Sequence, residues 1–150
     1  QYLPDNIKLL LVGDGPLIDE SKQLAKELKL NERILFLGNR EDVPRLLNTS
    51  DVVVLSSRHE GLSLSNIEGM SVGKPFVGSN VQGLREVVEG YGLLFEQGDY
   101  KELANIIMDL YNDTDLYKKV ADQCYLRAQE FDIKRMIKRY ISLYKSILNN

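Results

Sequence analysis

Short, uniformly apolar runs recur along the chain, and stretches with a helical pattern separate them. The five runs are residues 7–13 (IKLLLVG), 34–38 (ILFLG), 51–57 (DVVVLSS), 75–79 (PFVGS) and 91–96 (YGLLFE). They lack the alternation of polar and apolar residues found in half-exposed strands, which is typical of strands covered on both faces. Strands that alternate with helices indicate βαβ units. The pattern therefore predicts an α/β fold, with a Rossmann-like parallel sheet of about five strands flanked by helices.

After residue 96 the strand pattern stops, and extra carboxy-terminal helices are predicted over residues 100–112, 115–130 and 133–148. In the last helix, apolar residues recur at steps of three and four, which forms an apolar stripe along one face. These residues are Ile133, Met136, Ile137, Tyr140, Ile141, Tyr144, Ile147 and Leu148. The stripe predicts packing on this domain's own sheet, on a part of the protein outside this chain, or on a second copy.

Length and composition narrow the function classes. The 150 residues fit one domain, and no apolar run approaches the roughly 20 residues that span a bilayer. The net charge of -3 argues against nucleic acid as the main partner. Basic residues are concentrated between 118 and 145, with eight Lys or Arg against three acids. Such a bias indicates an anionic surface nearby or, more often, a solvated helix face.

The single cysteine, Cys124, and the single histidine, His59, leave no disulfide within the chain and no His/Cys cluster for zinc. A reducing, cytoplasmic compartment is the natural expectation for such a sequence. The chain begins with Gln1 rather than Met, and no signal segment follows it. We therefore expect a single domain over residues 1–150 that is truncated at its start.

The loop after the third predicted strand holds the candidate chemistry. Residues 56–70 read SSRHEGLSLSNIEGM, with Glu60 in the loop and Glu68 expected in the first turn of the next helix. Ligands of such sheets bind at the carboxyl ends of the strands. A carboxylate at the helix start can accept two hydrogen bonds from a ribose. Between the two acids, the backbone N–H groups of Gly61, Leu62, Ser63 and Leu64 could bind a diphosphate, aided by the helix dipole.

The residues alone leave this hypothesis open. Ser65 and Glu68 also have the spacing of a capping box, in which both side chains satisfy the helix start and bind no ligand. Glu60 and His59, placed in a loop, would more often face solvent than take part in catalysis. The loop sequence therefore supports a nucleotide site and a purely structural helix start about equally.

Two other motifs favour structural roles. The turn Gly13-Asp14-Gly15 suggests a dinucleotide fingerprint, but Ile18 stands where that fingerprint needs its third glycine. A tight strand-to-helix turn is therefore expected there. Asp113-Thr114-Asp115 is similar to a metal-binding acid pair, yet it lies between two predicted helices, where Asp113 or Thr114 would cap the second.

Seven motifs in fixed order resemble the carboxy-terminal domain of the family-four retaining glycosyltransferases. They are LVGDGP (11–16), FLG (36–38), SDVVVLSS (50–57), EGLSLSNIEGM (60–70), GKP (73–75), GLREVV (83–88) and EGYGLLFEQGD (89–99). The pair of glutamates separated by seven residues is the most specific of them. The resemblance implies the two-domain type-B glycosyltransferase fold, with this chain as its donor-binding part.

The resemblance also assigns roles to residues. It implies that Glu60 lies against the donor sugar, that the amides of residues 61–64 meet the diphosphate, and that Glu68 holds the ribose. The base would lie near Gly38, Asn39 and Arg40. The implied reaction transfers a sugar from a nucleotide diphosphate sugar to a glycan or lipid-linked acceptor, with retention and with neither a cofactor nor a metal.

The implied partners are a nucleotide sugar and an amino-terminal acceptor domain that is absent from this chain. Relatives of this kind assemble capsular polysaccharide, lipopolysaccharide or glycolipid, which also implies peripheral association of the full-length protein with the inner face of the membrane. Alternatives are a non-catalytic nucleotide-sugar-binding or interaction module, or a sugar-nucleotide epimerase of related fold.

Three departures from the family pattern affect the donor site. The family's domain opens with a further strand and helix carrying an Arg and a Lys for the diphosphate, so the chain alone is expected to be inactive. Gln82 precedes Gly83 where the family often has two glycines, and Arg85 replaces a common proline. Arg58 and Lys74 remain basic candidates for the diphosphate, although surface positions are favoured for both.

Overall fold

A computed structural model describes residues 2–148, which contain five strands and seven helices in two compact units. The first unit extends to Leu46 and the second begins at Leu47. Gln1, at which we expected a truncated start, lies outside the described residues. Each unit is described by itself below.

The first unit is a strand, helix and strand followed by the start of a second helix. It contains β1 (Leu9–Val12), α1 (Ile18–Glu27), β2 (Ile34–Gly38) and the first residues of α2 (Val43–Thr49). The two strands pair in parallel, with Leu9 beside Ile34 and Leu11 beside Phe36. Gly13 N–H donates to the Gly38 carbonyl at 2.8 Å, and Asp14 Oδ1 accepts from Gly15 N–H at 2.8 Å. Ile18 N–H donates to the Gly15 carbonyl at 3.1 Å, so the expected turn between strand and helix is confirmed.

The second unit carries the larger sheet and the remaining helices. Its elements are β3 (Val53–Leu55), α3 (Leu64–Ser71), β4 (Phe76–Ser79), α4 (Gln82–Val88), β5 (Leu93–Phe95), α5 (Tyr100–Asn112), α6 (Thr114–Gln129) and α7 (Ile133–Leu148). The three strands are parallel, in the order β3-β4-β5. All five predicted strands and the three carboxy-terminal helices are thus confirmed as elements of an α/β fold.

The strands differ from the prediction in how they are joined and covered. Hydrogen bonds connect them as a pair and a triplet, where we expected one sheet of about five. Burial on both faces holds for β4, whose four residues are all buried. It is wrong for β1 and β2, where Leu9 is 45% and Leu35 44% exposed. Strand β4 is central in its sheet and packs against α3, α4 and α6, whereas the two-stranded sheet has no central strand.

The core of the second unit lies around β4 and the helices that pack on it. Its fully buried side chains include Phe76, Val77, Met70, Leu84 and Val88. Helix α6 joins this core through residues such as Cys124. Because burial raises the pKa of Cys124 to about 11, its thiol stays protonated at neutral pH and is a packing group rather than a nucleophile.

The carboxy-terminal helices begin at acidic caps. Asp113 Oδ1 accepts from the N–H groups of Asp115 and Leu116, both at 2.9 Å, so the predicted cap of α6 is confirmed. Asp132 Oδ1 accepts from Lys134 N–H at 2.6 Å at the start of α7. Every residue of α7 is exposed, so the apolar stripe does not pack on this chain's own sheet. The other two expectations for the stripe stay predictions.

Candidate functional site

Glu60 is fixed at the carboxyl end of β3. Its Oε1 accepts a hydrogen bond of 2.6 Å from the Ser57 hydroxyl, and the residue is half-buried. Ser79, the last residue of β4, donates through its hydroxyl to the Ser57 carbonyl at 2.5 Å. The two parallel strands therefore end in a short polar chain that leads to one carboxylate oxygen of Glu60. This is the edge of the sheet at which ligands bind in doubly wound folds.

Helix α3 begins two residues earlier than expected. Its cap is Ser63, whose Oγ accepts from Asn66 N–H at 3.4 Å, and Ser65 is already inside the helix. The capping box between Ser65 and Glu68 is therefore wrong. So is the expectation that Glu68 lies in the first turn, because it is the fifth residue of α3. Within residues 2–148 the exposed Glu68 carboxylate has no hydrogen bond or ion pair, which leaves it open to a ligand.

A run of unpaired backbone donors leads into α3. Across the described part of the chain, the N–H groups of Gly61, Leu62, Ser63 and Leu64 donate to no backbone or side-chain acceptor. Leu62 and Leu64 are 65% and 70% exposed. An added Cβ at Gly61 would meet no atom within 4 Å. Free N–H groups at a helix start form a ready anion site, and nothing in the fold itself requires glycine at position 61.

Gly83, by contrast, is required by a close approach of two main chains. A Cβ built on Gly83 would lie 2.1 Å from the Gly61 carbonyl oxygen and 2.3 Å from that of Glu60. The start of α4 therefore packs directly against the loop that carries Glu60. The glycine in the GLREVV motif serves this contact.

Asn66 is a buried polar residue with no partner of its own. It is 0% exposed, and neither its Oδ1 nor its Nδ2 forms a hydrogen bond within the described residues. An unpaired buried amide destabilises a fold by about 1 to 3 kcal/mol. Such groups are rare in native structures, and here one lies in the first turn of the helix between the two candidate acids.

We expect Asn66→Leu to raise the free energy of unfolding by about 1 to 3 kcal/mol, because it replaces an unpaired amide by an apolar group of similar size. Urea unfolding followed by circular dichroism measures the change. The matched control is Asn105→Leu, an exposed position on α5, which should change the stability by less than about 0.5 kcal/mol. A lower stability of Asn66→Leu would show that the amide is paired in solution.

Side chains also connect the loops after the three strands of the second unit. Gln97 Nε2 donates to the Arg58 carbonyl at 3.2 Å. Arg85 Nε donates to Asn80 Oδ1 at 2.6 Å, and Asn80 Nδ2 donates to Glu96 Oε1 at 2.5 Å. Asn80 therefore holds the loop after β4 to the loop after β5, and Arg85 on α4 orients the Asn80 amide.

A cavity of about 550 Å³ lies at the same sheet edge. Ser56, Arg58, Ser79, Phe95, Gln97, Gly98, Tyr100 and Leu103 line it. Glu60 and Glu68 do not line it, so the two candidate acids and this cavity are neighbouring but separate features. Of the two basic candidates, Arg58 borders the cavity. Lys74 precedes β4 and lies at the opposite, amino-terminal edge, so it is wrong as a phosphate contact for this site.

The residues expected near the base belong to the first unit. Gly38 ends β2 with a φ of 62°, a backbone conformation that favours glycine. Arg40 forms a bidentate pair with Asp42, Nε to Oδ1 at 2.8 Å and Nη2 to Oδ2 at 2.9 Å. The hydrogen bonds of this pair raise the pKa of Arg40 and lower the pKa of Asp42. Asn39 is exposed. The Arg40 guanidinium is thus oriented by Asp42.

The loop motif identified Glu60, Glu68 and the amides between them, but not Ser57, Ser79 or Asn66. Ser57 and Ser79 each end an apolar strand run, where a hydroxyl lies at the ligand-binding edge. Their position at the end of a strand run is the sequence feature that could have identified both serines. Asn66 gave only a weak signal, an amide on the face of α3 that carries Gly69 and Met70 into the core.

A parallel α/β arrangement with unpaired N–H donors and acids at the carboxyl ends of its strands is typical of Rossmann-like proteins, which bind their ligands at that edge. Residues 2–127 match the family described as glycosyl transferases group 1, and the chain belongs to that family. The predicted resemblance, with its Rossmann-like type-B fold, is confirmed.

Among curated relatives, the chain is 34% identical over 146 residues to the N-acetyl-alpha-D-glucosaminyl L-malate synthase of Bacillus anthracis, covering 95% of this chain and 38% of that protein. It is 35% identical over 114 residues to the UDP-Gal:alpha-D-GlcNAc-diphosphoundecaprenol alpha-1,3-galactosyltransferase of Escherichia coli, covering 74% and 29%. The chain therefore spans well under half the length of these relatives.

Among solved structures, HepE of Anabaena in complex with UDP is similar with a TM-score of 0.89 and 31% identity. The similarity covers 96% of this chain and 42% of that one. The same Anabaena protein has also been solved with UDP-glucose, at a TM-score of 0.87 to this chain.

Proposed function

We propose that this chain is the donor-binding part of a retaining glycosyltransferase that uses a nucleotide diphosphate sugar. The observation that carries the proposal is the run of unpaired N–H groups at residues 61–64, placed between two acids at the carboxyl edge of a parallel sheet. Unpaired N–H donors that lead into a helix start suit a diphosphate, since the helix dipole adds a positive potential there.

The two acids suit different parts of the donor. Glu60 has one oxygen held by Ser57, and its other oxygen remains available to accept from a sugar hydroxyl. Glu68 is exposed and unpaired among the described residues, as a carboxylate must be if it is to accept from both ribose hydroxyls. The base would lie against Gly38, Asn39 and Arg40, as the family resemblance implies.

The chemistry requires stabilisation of the leaving diphosphate. As the bond to the sugar breaks, negative charge grows on the phosphate oxygens, and fixed N–H donors stabilise that charge without reorganising. Glu60 would position the sugar for attack on the face that preserves its configuration. No metal or cofactor is required in this proposal.

The comparisons support this donor class. HepE binds UDP and UDP-glucose in structures similar to this chain, and the name of the Escherichia coli relative gives UDP-Gal as its donor. That name also gives an acceptor linked to diphosphoundecaprenol, a lipid. We therefore propose a glycan or lipid-linked acceptor bound by an amino-terminal domain outside this chain. The full-length protein would act in the cytoplasm at the inner membrane face.

Titration with UDP, GDP and uridine tests the donor site. In amide NMR spectra of the full-length protein, UDP or GDP should shift the resonances of residues 61–68, and uridine, which lacks the diphosphate, should leave those of 61–64 unchanged. Unchanged spectra with both diphosphates would overturn the proposal. Binding without any sugar transfer would favour a non-catalytic module, and an epimerised nucleotide sugar as product would favour an epimerase.

A further inference from the structure

Two serine hydroxyls connect Glu60 to the core of the sheet. Ser57 Oγ donates to Glu60 Oε1 at 2.6 Å, and Ser79 Oγ donates to the Ser57 carbonyl at 2.5 Å. A hydroxyl has one proton to donate, whereas a carbonyl and an ionised carboxylate only accept. Both serine protons are therefore committed, and the direction of both hydrogen bonds is fixed.

Ser79 is a rigid starting point for these two hydrogen bonds. It is 1% exposed and ends β4, whose four residues are all buried. Its main chain pairs in register with Phe95 of β5, and the N–H of the next residue, Asn80, donates to the Phe95 carbonyl at 2.7 Å. The hydroxyl that holds the Ser57 carbonyl is therefore placed by the central strand of the sheet and not by a loop.

The main chain on either side of Glu60 is held as well. Gln97 Nε2 donates to the Arg58 carbonyl at 3.2 Å, two residues before Glu60. After Glu60, the loop packs against Gly83 with no room for a Cβ. Within the described part of the chain, the Ser57 hydroxyl is the only group that bonds the Glu60 carboxylate. The orientation of that carboxylate therefore depends on Ser57.

We propose that Ser57 and Ser79 are positioning residues for Glu60, with Ser79 acting through Ser57. The proposal deepens the proposed function and rests on it, since it requires that Glu60 accepts from a hydroxyl of the donor sugar. With Oε1 held by Ser57, Glu60 presents its second oxygen, which has no partner within residues 2–148, to that hydroxyl. The sugar is then held at one angle to the bond that breaks.

Orientation of this kind acts on the transfer step. A displacement of about 1 Å in a positioning group lowers a reaction rate about 100-fold, because the reacting atoms lose their alignment. In the proposed site, affinity for the nucleotide comes from the N–H groups of residues 61–64 and from Glu68. The two serines should therefore change kcat and leave the binding of a nucleoside diphosphate, which lacks the transferred sugar, unchanged.

A purely structural role of the two serines predicts a different result. An intramolecular hydrogen bond also stabilises the loop that contains it. Loss of order in this loop would displace the amides of residues 61–64, which follow Glu60 directly, and would weaken diphosphate binding together with kcat. Comparison of the two losses thus separates positioning from loop stability.

Donor hydrolysis by the full-length protein tests the proposal without a known acceptor. Water attacks the anomeric carbon, the bond from that carbon to the diphosphate oxygen breaks, and the nucleoside diphosphate, the free sugar and one proton are released. The probes are UDP-glucose, UDP-galactose, UDP-N-acetylglucosamine and GDP-mannose, and the one that the parent protein hydrolyses fastest is used throughout. Isothermal titration calorimetry measures the affinity of every variant for the corresponding nucleoside diphosphate.

We expect Ser57→Ala to lower kcat about 10- to 100-fold and to leave the diphosphate affinity within about twofold of the parent. Ser57→Thr keeps the hydroxyl and should restore most of kcat. Ser79→Ala should lower kcat by about three- to tenfold, because it loosens Ser57 without removing its hydroxyl. The matched control, Ser71→Ala, removes a serine-to-carbonyl bond of 2.7 Å in α3 and should change either quantity by less than about twofold.

The double variant tests whether the two serines act in series. Because Ser79 acts through Ser57, removing both hydroxyls should lower kcat no further than Ser57→Ala alone. Losses that multiply would overturn the role of Ser79. The proposal as a whole is wrong if Ser57→Ala keeps the parent's kcat, if it loses kcat and diphosphate affinity equally, or if Ser57→Thr is as slow as Ser57→Ala.

Failure of this proposal is separable from failure of the donor site. A parent protein that binds no nucleoside diphosphate contradicts the proposed function. A parent protein that binds one, and whose kcat does not depend on Ser57, contradicts only the positioning role. Binding without hydrolysis of any of the four probes contradicts the action of Glu60 on the sugar, and this proposal with it, and leaves nucleotide binding intact.

Discussion

Replacing Gly83 by alanine should destabilise the fold by about 3 kcal/mol or more, although alanine is the better helix former. Helix propensity alone predicts a gain of up to about 1 kcal/mol for this change in α4. The added Cβ, however, would lie 2.1 Å from the Gly61 oxygen and 2.3 Å from the Glu60 oxygen, and main-chain atoms have to move to relieve such contacts. The steric effect is larger than the propensity effect. A loss of stability in Gly83→Ala would therefore show that the overlap with the Glu60–Gly61 main chain decides the outcome, and a gain would show that helix propensity does.

Urea unfolding of Gly83→Ala and Gly61→Ala provides the measurement. Gly83 and Gly61 lie on the two main chains that meet where α4 packs on the loop after β3. A Cβ at Gly61, however, meets nothing within 4 Å. Gly61→Ala should therefore keep its stability within about 1 kcal/mol. If the proposed donor site is correct, Gly61→Ala should instead weaken UDP binding, because the added methyl group would occupy the open space beside the unpaired N–H groups. Equal stability of Gly83→Ala and the parent protein would contradict the packing of α4 on this loop.

Replacing Glu68 by glutamine should weaken UDP binding about 10- to 100-fold and leave stability unchanged within about 0.5 kcal/mol. Hydrogen bonds to a charged group contribute about 1.5 to 3 kcal/mol each, and an amide offers one acceptor oxygen where the carboxylate offers two. The exposed Glu68 has no partner among residues 2–148 to lose, so folding is not affected. Isothermal titration calorimetry of the full-length protein measures the affinity.

A comparison of UDP with 2′-deoxy-UDP makes this test specific to the ribose. If Glu68 holds the 2′-hydroxyl, the parent protein should discriminate between the two ligands more strongly than Glu68→Gln does. Glu20→Gln on α1, also an exposed helical glutamate, should behave as the parent. Equal losses for both ligands in Glu68→Gln would show that the carboxylate acts elsewhere.

The order of elements was predictable from the sequence because apolar runs and turn residues act locally. The strand runs and the last three helices were found within a few residues of their observed ends. What failed depended on contacts between distant parts. Strand exposure in β1 and β2 follows from which neighbours cover the sheet, and no local pattern records that.

In the loop after β3, too, the local sequence predicted one part of the site, and packing between elements decided the rest. The spacing of Glu60 and Glu68 indicated the loop, but two serines compete to cap α3 and only the structure selects Ser63. That choice moved Glu68 from the first turn to the second and removed its capping role. The buried amide of Asn66 and the contact of Gly83 depend on packing between elements, which the motif alone does not describe.

The side-chain links across the sheet edge have a consequence for ligand entry. Ser79 to Ser57, Gln97 to Arg58, and Arg85 through Asn80 to Glu96 connect the loops after all three strands of the second unit. Loops restrained in this way lose little freedom when a small molecule arrives, so more of the contact energy is left for affinity. The second unit should therefore lose little conformational entropy when a ligand binds at this edge of its sheet.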